Sequence, residues 1–216
     1  MQRIVFLLGV VVAALLFGAV FLMRGGAPEA AAVEEGVPKD PLAEAHIVLG
    51  RGDAPGYVVE FSNYACPHCR EHAERVLMRL VNDYVATGKV RYVFRHLPFE
   101  GQEDVFWASV AAGCVYDQAP ARFFDYHLLL FRAGPDWQGR GGEAVKARLL
   151  DYARQLSLSV EALRNCLASE QAKERVRFDQ RLARALGVTG TPTFFVGGKK
   201  YEGFMPYERW REILAP

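Results

Sequence analysis

Two cysteines separated by Pro67-His68 stand where a strand pattern gives way to a helix pattern, and this junction restricts the chain more than any other feature. Tyr57 to Ser62, YVVEFS, carries bulky apolar side chains on both faces, which predicts a strand covered on each side. Helical spacing begins near Pro67 and runs through Val76, Leu77, Leu80, Val81 and Tyr84 until Thr87-Gly88 ends it. Val90 to His96, VRYVFRH, reads as the next strand. Strand, helix and strand of these lengths predict a parallel βαβ unit with a right-handed crossover. A shorter strand, His46-Ile47-Val48-Leu49, precedes it and is closed off by the Gly- and Pro-rich residues 50–56.

The position of the Cys-x-x-Cys determines its chemistry. Proline is favoured at the first helical position, so Pro67 leaves Cys66 at the cap and puts Cys69 one turn inside the helix. Two helical residues three apart hold their Cβ atoms roughly 5–6 Å apart, too far for a disulfide at about 3.5–4.5 Å, but a cap residue is free of helical dihedrals and can close the gap. Cys66 then sits among free backbone N–H groups at the positive end of the helix dipole, with His68 as a further donor or charge near its sulfur, so Cys66 is the expected thiolate. Stabilising the thiolate stabilises the reduced dithiol and makes Cys66 a good leaving group, so the Cys66–Cys69 disulfide becomes an oxidant. A Cys66 pKa near about 4.5 would be worth ~3.4 kcal/mol at pH 7, or about 70 mV.

Two competing readings use the same residues. Cys66, His68, Cys69 and His72 are borderline metal ligands in a short span, but a structural zinc site brings a second ligand pair from elsewhere and none stands nearby, so no metal is expected. A purely structural disulfide is the other. His72 and Glu71 are expected on the helix surface. Glu60, six residues before Cys66, falls inside the doubly covered strand, where an isolated carboxylate is costly and its pKa should rise; pairing with a nearby Lys or Arg is the alternative.

The strand ending EFSNYACPHC, the helical stretch that follows, and the later Thr191-Pro192-Thr193-Phe194-Phe195 resemble the DsbA-like thiol:disulfide oxidoreductases of the thioredoxin superfamily, over roughly residues 46–214. The depressed thiol pKa of such sites is a known trend for DsbA and thioredoxin. The resemblance implies an α/β thioredoxin fold with an inserted helical domain. It implies Cys66 as exposed nucleophile, Cys69 as buried resolving thiol, Glu60 as proton acceptor for Cys69, and Pro192 as a cis proline facing the disulfide. Thr191 would offer its backbone to an extended substrate segment. An ordinary trans turn is the alternative at Pro192. No bound cofactor is implied. Exported cysteine-containing proteins are the implied substrates, and a quinone-linked membrane oxidase the implied partner for reoxidation. A disulfide reductase or isomerase of the same fold, or a thiol-based metal-binding module, are the competing functions.

The domain arrangement follows. Residues 46–100 supply the first half of the fold, 101–187 an inserted helical domain, and 188–216 the second half. The helical stretch is broken at Gln118-Ala119-Pro120, at Gly134-Pro135 and through 139–142, and its last helix has a start at Ser159 and a stop at Gly187. Thr193 to Val196, Gly197-Gly198 and Lys199 to Tyr201 give a hairpin with a two-residue turn, and Pro206 to Leu214 a closing helix with Pro206 at its first position. Cys114 and Cys166 each lie among apolar residues of the helical part. In an oxidising compartment the simplest pairing joins them to each other; two packed free thiols are the alternative. Trp107, Trp137 and Trp210 read as core or rim side chains.

At the amino terminus, Ile4 to Met23 is an uncharged apolar run bounded by Arg3 and Arg24, long enough to cross a bilayer. Residues 1–24 are therefore expected to be a signal anchor or transmembrane helix, placing the catalytic part outside the cytoplasm on a single-pass tether. A cleaved signal, cut after Ala30-Ala31-Ala32, would make it secreted or periplasmic instead. Residues 25–45, poor in large apolar side chains, read as a flexible linker. With 26 basic against 25 acidic residues, the chain offers no electrostatic footprint for nucleic acid. Four cysteines in 216 residues are too few for a disulfide-built scaffold, so a hydrophobic core must carry the fold.

Overall fold

Five strands make one mixed sheet in the order β1-β3-β2-β4-β5 in a computed structural model whose described residues are 36–215. They are β1 (Ile47–Leu49), β2 (Gly56–Ser62), β3 (Val90–His96), β4 (Thr193–Val196) and β5 (Lys199–Glu202). The central pair β2 and β3 is parallel, with Glu60 opposite Phe94 and Ser62 opposite His96, as the crossover between them requires. β1 and β4 flank that pair antiparallel, and β5 closes the edge as a hairpin with β4. Gly197 and Gly198 both hold positive φ, +55° and +78°, the two-residue hairpin turn that side chains would strain. The predicted transmembrane helix over residues 1–24 lies outside the described residues, and among these no helix is long and apolar enough to cross a membrane.

The crossover helix, α1, covers residues 67–85. It starts regularly at Pro67–His72 and widens into π-type turns at Ala73–Leu77 and Val81–Val85. Its Val76, Leu77 and Leu80 pack on one sheet face with Val58, Tyr92 and Phe194. Trp210 of the closing helix α8 (Tyr207–Ile213) completes that layer; Pro206 caps this helix instead of occupying its first turn.

Between β3 and β4 lie α2 (Glu103–Gln118), α3 (Phe123–Arg132), the short α4 (Gly134–Trp137), α5 (Gly142–Gln155), α6 (Val160–Ala168) and α7 (Glu170–Ala185). Two expectations are corrected here. The single last helix from Ser159 is two helices, because Ser169 leaves helical dihedrals (φ −68°, ψ 129°) and caps α7 by accepting from the Ala172 N–H. The helical block is also not wholly separate: Leu182 and Ala183 of α7 pack on the second sheet face against Val59, Phe61 and Val93. A disulfide joins Cys114 of α2 to Cys166 of α6.

The linker expected over 25–45 is corrected in its described part. Val37, Leu42 and Ala45 pack beside that second face. Arg95, 1% exposed on β3, fixes this segment by donating to the carbonyls of Pro41, Ala43 and Glu44 while its guanidinium pairs with Asp179 of α7 at 2.8 Å. A buried guanidinium needs acceptors, and Asp179 with the segment's carbonyls serves both terminal nitrogens, while Nε has no hydrogen-bond partner among the described residues.

Candidate active site at the start of the crossover helix

The turn from β2 into α1 is built by Asn63. Its side chain accepts from the Ala65 N–H at 2.8 Å, its carbonyl accepts from the Cys66 N–H at 3.0 Å, and its amide anchors to the Leu97 carbonyl at 2.8 Å. Cys66 is thereby held extended as the N-cap (φ −84°, ψ 121°), with Pro67 in the first turn. Cys66 is half-buried and Cys69 fully buried, both as free thiols. A shallow cavity of about 130 Å³ beside Cys66 is lined by Tyr64, Pro67, Arg70, Phe131 and Gln138.

The two sulfurs differ in charge preference. The Cys66 pKa is lowered to about 5, chiefly by the hydrogen bond from the Cys69 thiol; the Thr191 hydroxyl and the backbone N–H groups of Cys69 and His68 add to this, while burial opposes it. Cys69 moves the other way. Burial, the bond it gives to Cys66 and the nearby Glu60 carboxylate all raise its pKa. The His68 imidazole is largely exposed and lies 3.8 Å from Glu71, and its backbone N–H is among the donors that lower the Cys66 pKa.

The peptide bond between Thr191 and Pro192 is cis. It brings the Thr191 carbonyl within 3.2 Å of the Cys66 sulfur across 125 residues of sequence. Thr193, next in the chain, donates its hydroxyl to the Gly190 carbonyl at 2.7 Å and steadies this loop.

A cysteine of depressed pKa at a helix start, a buried partner thiol one turn on and the Thr191 carbonyl against the first sulfur match the pattern that the sequence resembles. The chain belongs to the DsbA-like thiol:disulfide oxidoreductases of the thioredoxin superfamily. A thioredoxin family model matches residues 42–215. Disulfide bond formation protein D of Bacillus subtilis is 30% identical over 182 residues, 83% of this chain and 80% of that protein. Oxidised BdbD of Bacillus subtilis superposes with a TM-score of 0.68 at 29% identity, over 79% of this chain and 91% of that one. Wolbachia pipientis alpha-DsbA1, 22% identical, shares the fold at the same TM-score over 78% and 88%.

Behind the cysteines of this DsbA-like site lies a buried polar group that sequence reasoning resolved only in part. Glu60 is 1% exposed and has no Lys or Arg partner among the described residues, so the ion-pair alternative does not hold. Burial raises its pKa to about 7, although the Tyr92 hydroxyl, which donates to Oε2 at 2.5 Å, and Ser62 favour the charged form. His72, expected at the surface, is fully buried instead; its Nε2 lies 3.1 Å from the Tyr92 hydroxyl and 4.0 Å from Glu60. The i to i+3 spacing from Cys69 was the available signal, since it puts His72 on the same inward face of α1. Tyr92 and Ser62 gave none beyond strand alternation. Tyr64 was also missed; its hydroxyl, 3.0 Å from His127 of α3, ties the site's turn to the helical insertion.

Proposed function

We propose that this chain donates disulfides to exported cysteine-containing proteins through Cys66 and Cys69. A substrate thiolate attacks the Cys66 sulfur of the Cys66–Cys69 disulfide, and Cys69 leaves as a thiolate that takes up a proton. A second substrate thiolate then attacks the substrate sulfur of this mixed disulfide and expels Cys66, so the substrate dithiol loses two electrons and the enzyme disulfide gains them. The observation that carries the reading is the placement of Cys66 at the helix N-cap, half-buried, with the buried Cys69 thiol one turn on and the Thr191 carbonyl 3.2 Å from its sulfur; the same surroundings lower its pKa to about 5, so the expelled sulfur leaves as a stabilised thiolate and exchange runs toward substrate oxidation. Glu60 is the proton carrier for Cys69, and the Thr191 backbone beside cis Pro192 receives an extended substrate segment.

The apolar run Ile4 to Met23 is proposed to anchor the catalytic part on the extracytoplasmic side, where a membrane oxidase restores the disulfide. Equilibration with glutathione tests the direction. We expect a potential well above the about −270 mV of thioredoxin and toward the about −120 mV of DsbA, and a value near thioredoxin's overturns the oxidase reading in favour of a reductase. A Cys69→Ala variant expressed in its natural compartment should trap many exported cysteine-containing proteins; a single dedicated electron donor would point the other way.

A further inference from the structure

Tyr92 has one hydroxyl proton and two polar neighbours, Oε2 of Glu60 at 2.5 Å and Nε2 of His72 at 3.1 Å. When Glu60 is ionised that proton goes to the carboxylate, so the second bond must run from His72 Nε2–H to the Tyr92 oxygen. His72 can fill this role alone: it is fully buried and burial holds it neutral, with its pKa pushed down to about 3. Its Nδ1 has no hydrogen-bond partner, and the Phe194 and Trp210 rings pack on it at 4.8 and 5.7 Å.

We infer that His72 and Tyr92 are positioning residues for proton exchange between Glu60 and Cys69: the bond from His72 to the Tyr92 oxygen orients the Tyr92 hydroxyl onto Oε2, and Oε1 is left as the oxygen that takes and returns the proton. This rests on the reading of Glu60 as proton carrier. In the resolving step the Cys69 S–H bond breaks, its proton passes to Oε1, and the electron pair left on sulfur attacks Cys66 in the mixed disulfide. The Cys66–Cys69 bond forms and the partner sulfur leaves with the pair of the broken bond; donation of a disulfide is the reverse. Other groups facing this chain are Ser62 on β2, Cys66 and Cys69 on α1, Tyr64 in the following turn and, toward His72, His127 of α3. Phe194 of β4 and Trp210 of α8 bring no titratable group.

The test is the pH dependence of the resolving step in the full-length reduced protein mixed with glutathione disulfide, acid-quenched and resolved by mass. Removing a donor to a carboxylate disfavours its charged form, so Tyr92→Phe should move the inflection up by about one pH unit. His72→Leu should move it the same way by less, while His72→Gln, which keeps an N–H donor, should stay with the wild type. In Glu60→Gln the inflection should vanish, and adding Tyr92→Phe should then change nothing. An unmoved inflection in Tyr92→Phe overturns the inference even where Glu60→Gln abolishes it. Tyr92→Phe keeps the ring and so decides the matter if His72→Leu does not fold. Persistence of the inflection in Glu60→Gln would instead remove Glu60 from proton transfer, and the inference with it, while leaving exchange at Cys66 intact.

Discussion

The burial of Glu60 carries an energetic consequence. Its folded pKa of about 7 lies above the ordinary 4.5, so its contribution to stability is fully present below pH 4.5 and is lost as pH rises through 7. Glutamine keeps an acceptor for Tyr92 and carries no charge. Glu60→Gln should therefore match the wild type at pH 4 and exceed it at pH 8 by roughly 1–3 kcal/mol, read from denaturant unfolding of the oxidised protein. Equal differences at both pH values would contradict the burial of an ionisable carboxyl. The sequence foretold this residue because a charge in a strand apolar on both faces is anomalous by itself. It did not foretell His72, because a polar residue on a helix is ordinarily solvated and only the packing of α1 against Tyr92, Phe194 and Trp210 turns it inward.

Helices and strands are held in register by two devices with separable effects. The Cys114–Cys166 disulfide spans 52 residues and ties α2 to α6. Chain entropy gives such a closure about 4 kcal/mol, so Cys114→Ala/Cys166→Ala should lose roughly 2–4 kcal/mol in denaturant unfolding while the Cys66 thiolate still titrates as before. The second device is the buried Arg95–Asp179 pair, in which Asp179 also accepts from the His96 N–H at 2.9 Å. Asp179→Ala leaves a buried guanidinium with carbonyl acceptors only, and should cost about 3 kcal/mol. The same change should make residues 37–45 more open to limited proteolysis than in the wild type. Small and polar residues made this segment read as a tether; its order comes from Arg95 on β3, more than 50 residues away in sequence.

The molecule as a whole is expected to be more stable reduced than oxidised, and by an amount that depends on pH. The folded pKa of Cys66, about 5, is depressed below the ordinary 9.0, so the stabilisation of the reduced state is fully present above pH 9 and is lost as pH falls through 5. Parallel denaturant unfolding of the two forms at pH 5 and pH 8 should show the gap widening at pH 8, and a gap that is constant or reversed would contradict the thiolate. The sequence by itself determined the βαβ unit, the cap position of Cys66, the β4–β5 hairpin and the family, because strand period, helix period and turn residues are local properties of neighbouring side chains. Tertiary structure alone decided which donors stabilise the thiolate, how Glu60 is satisfied, where His68 and His72 point and what residues 36–45 do. Each of these rests on partners brought together from distant segments, as with Thr191 and Cys66, and hydrogen-bond distance between such atoms is fixed by packing.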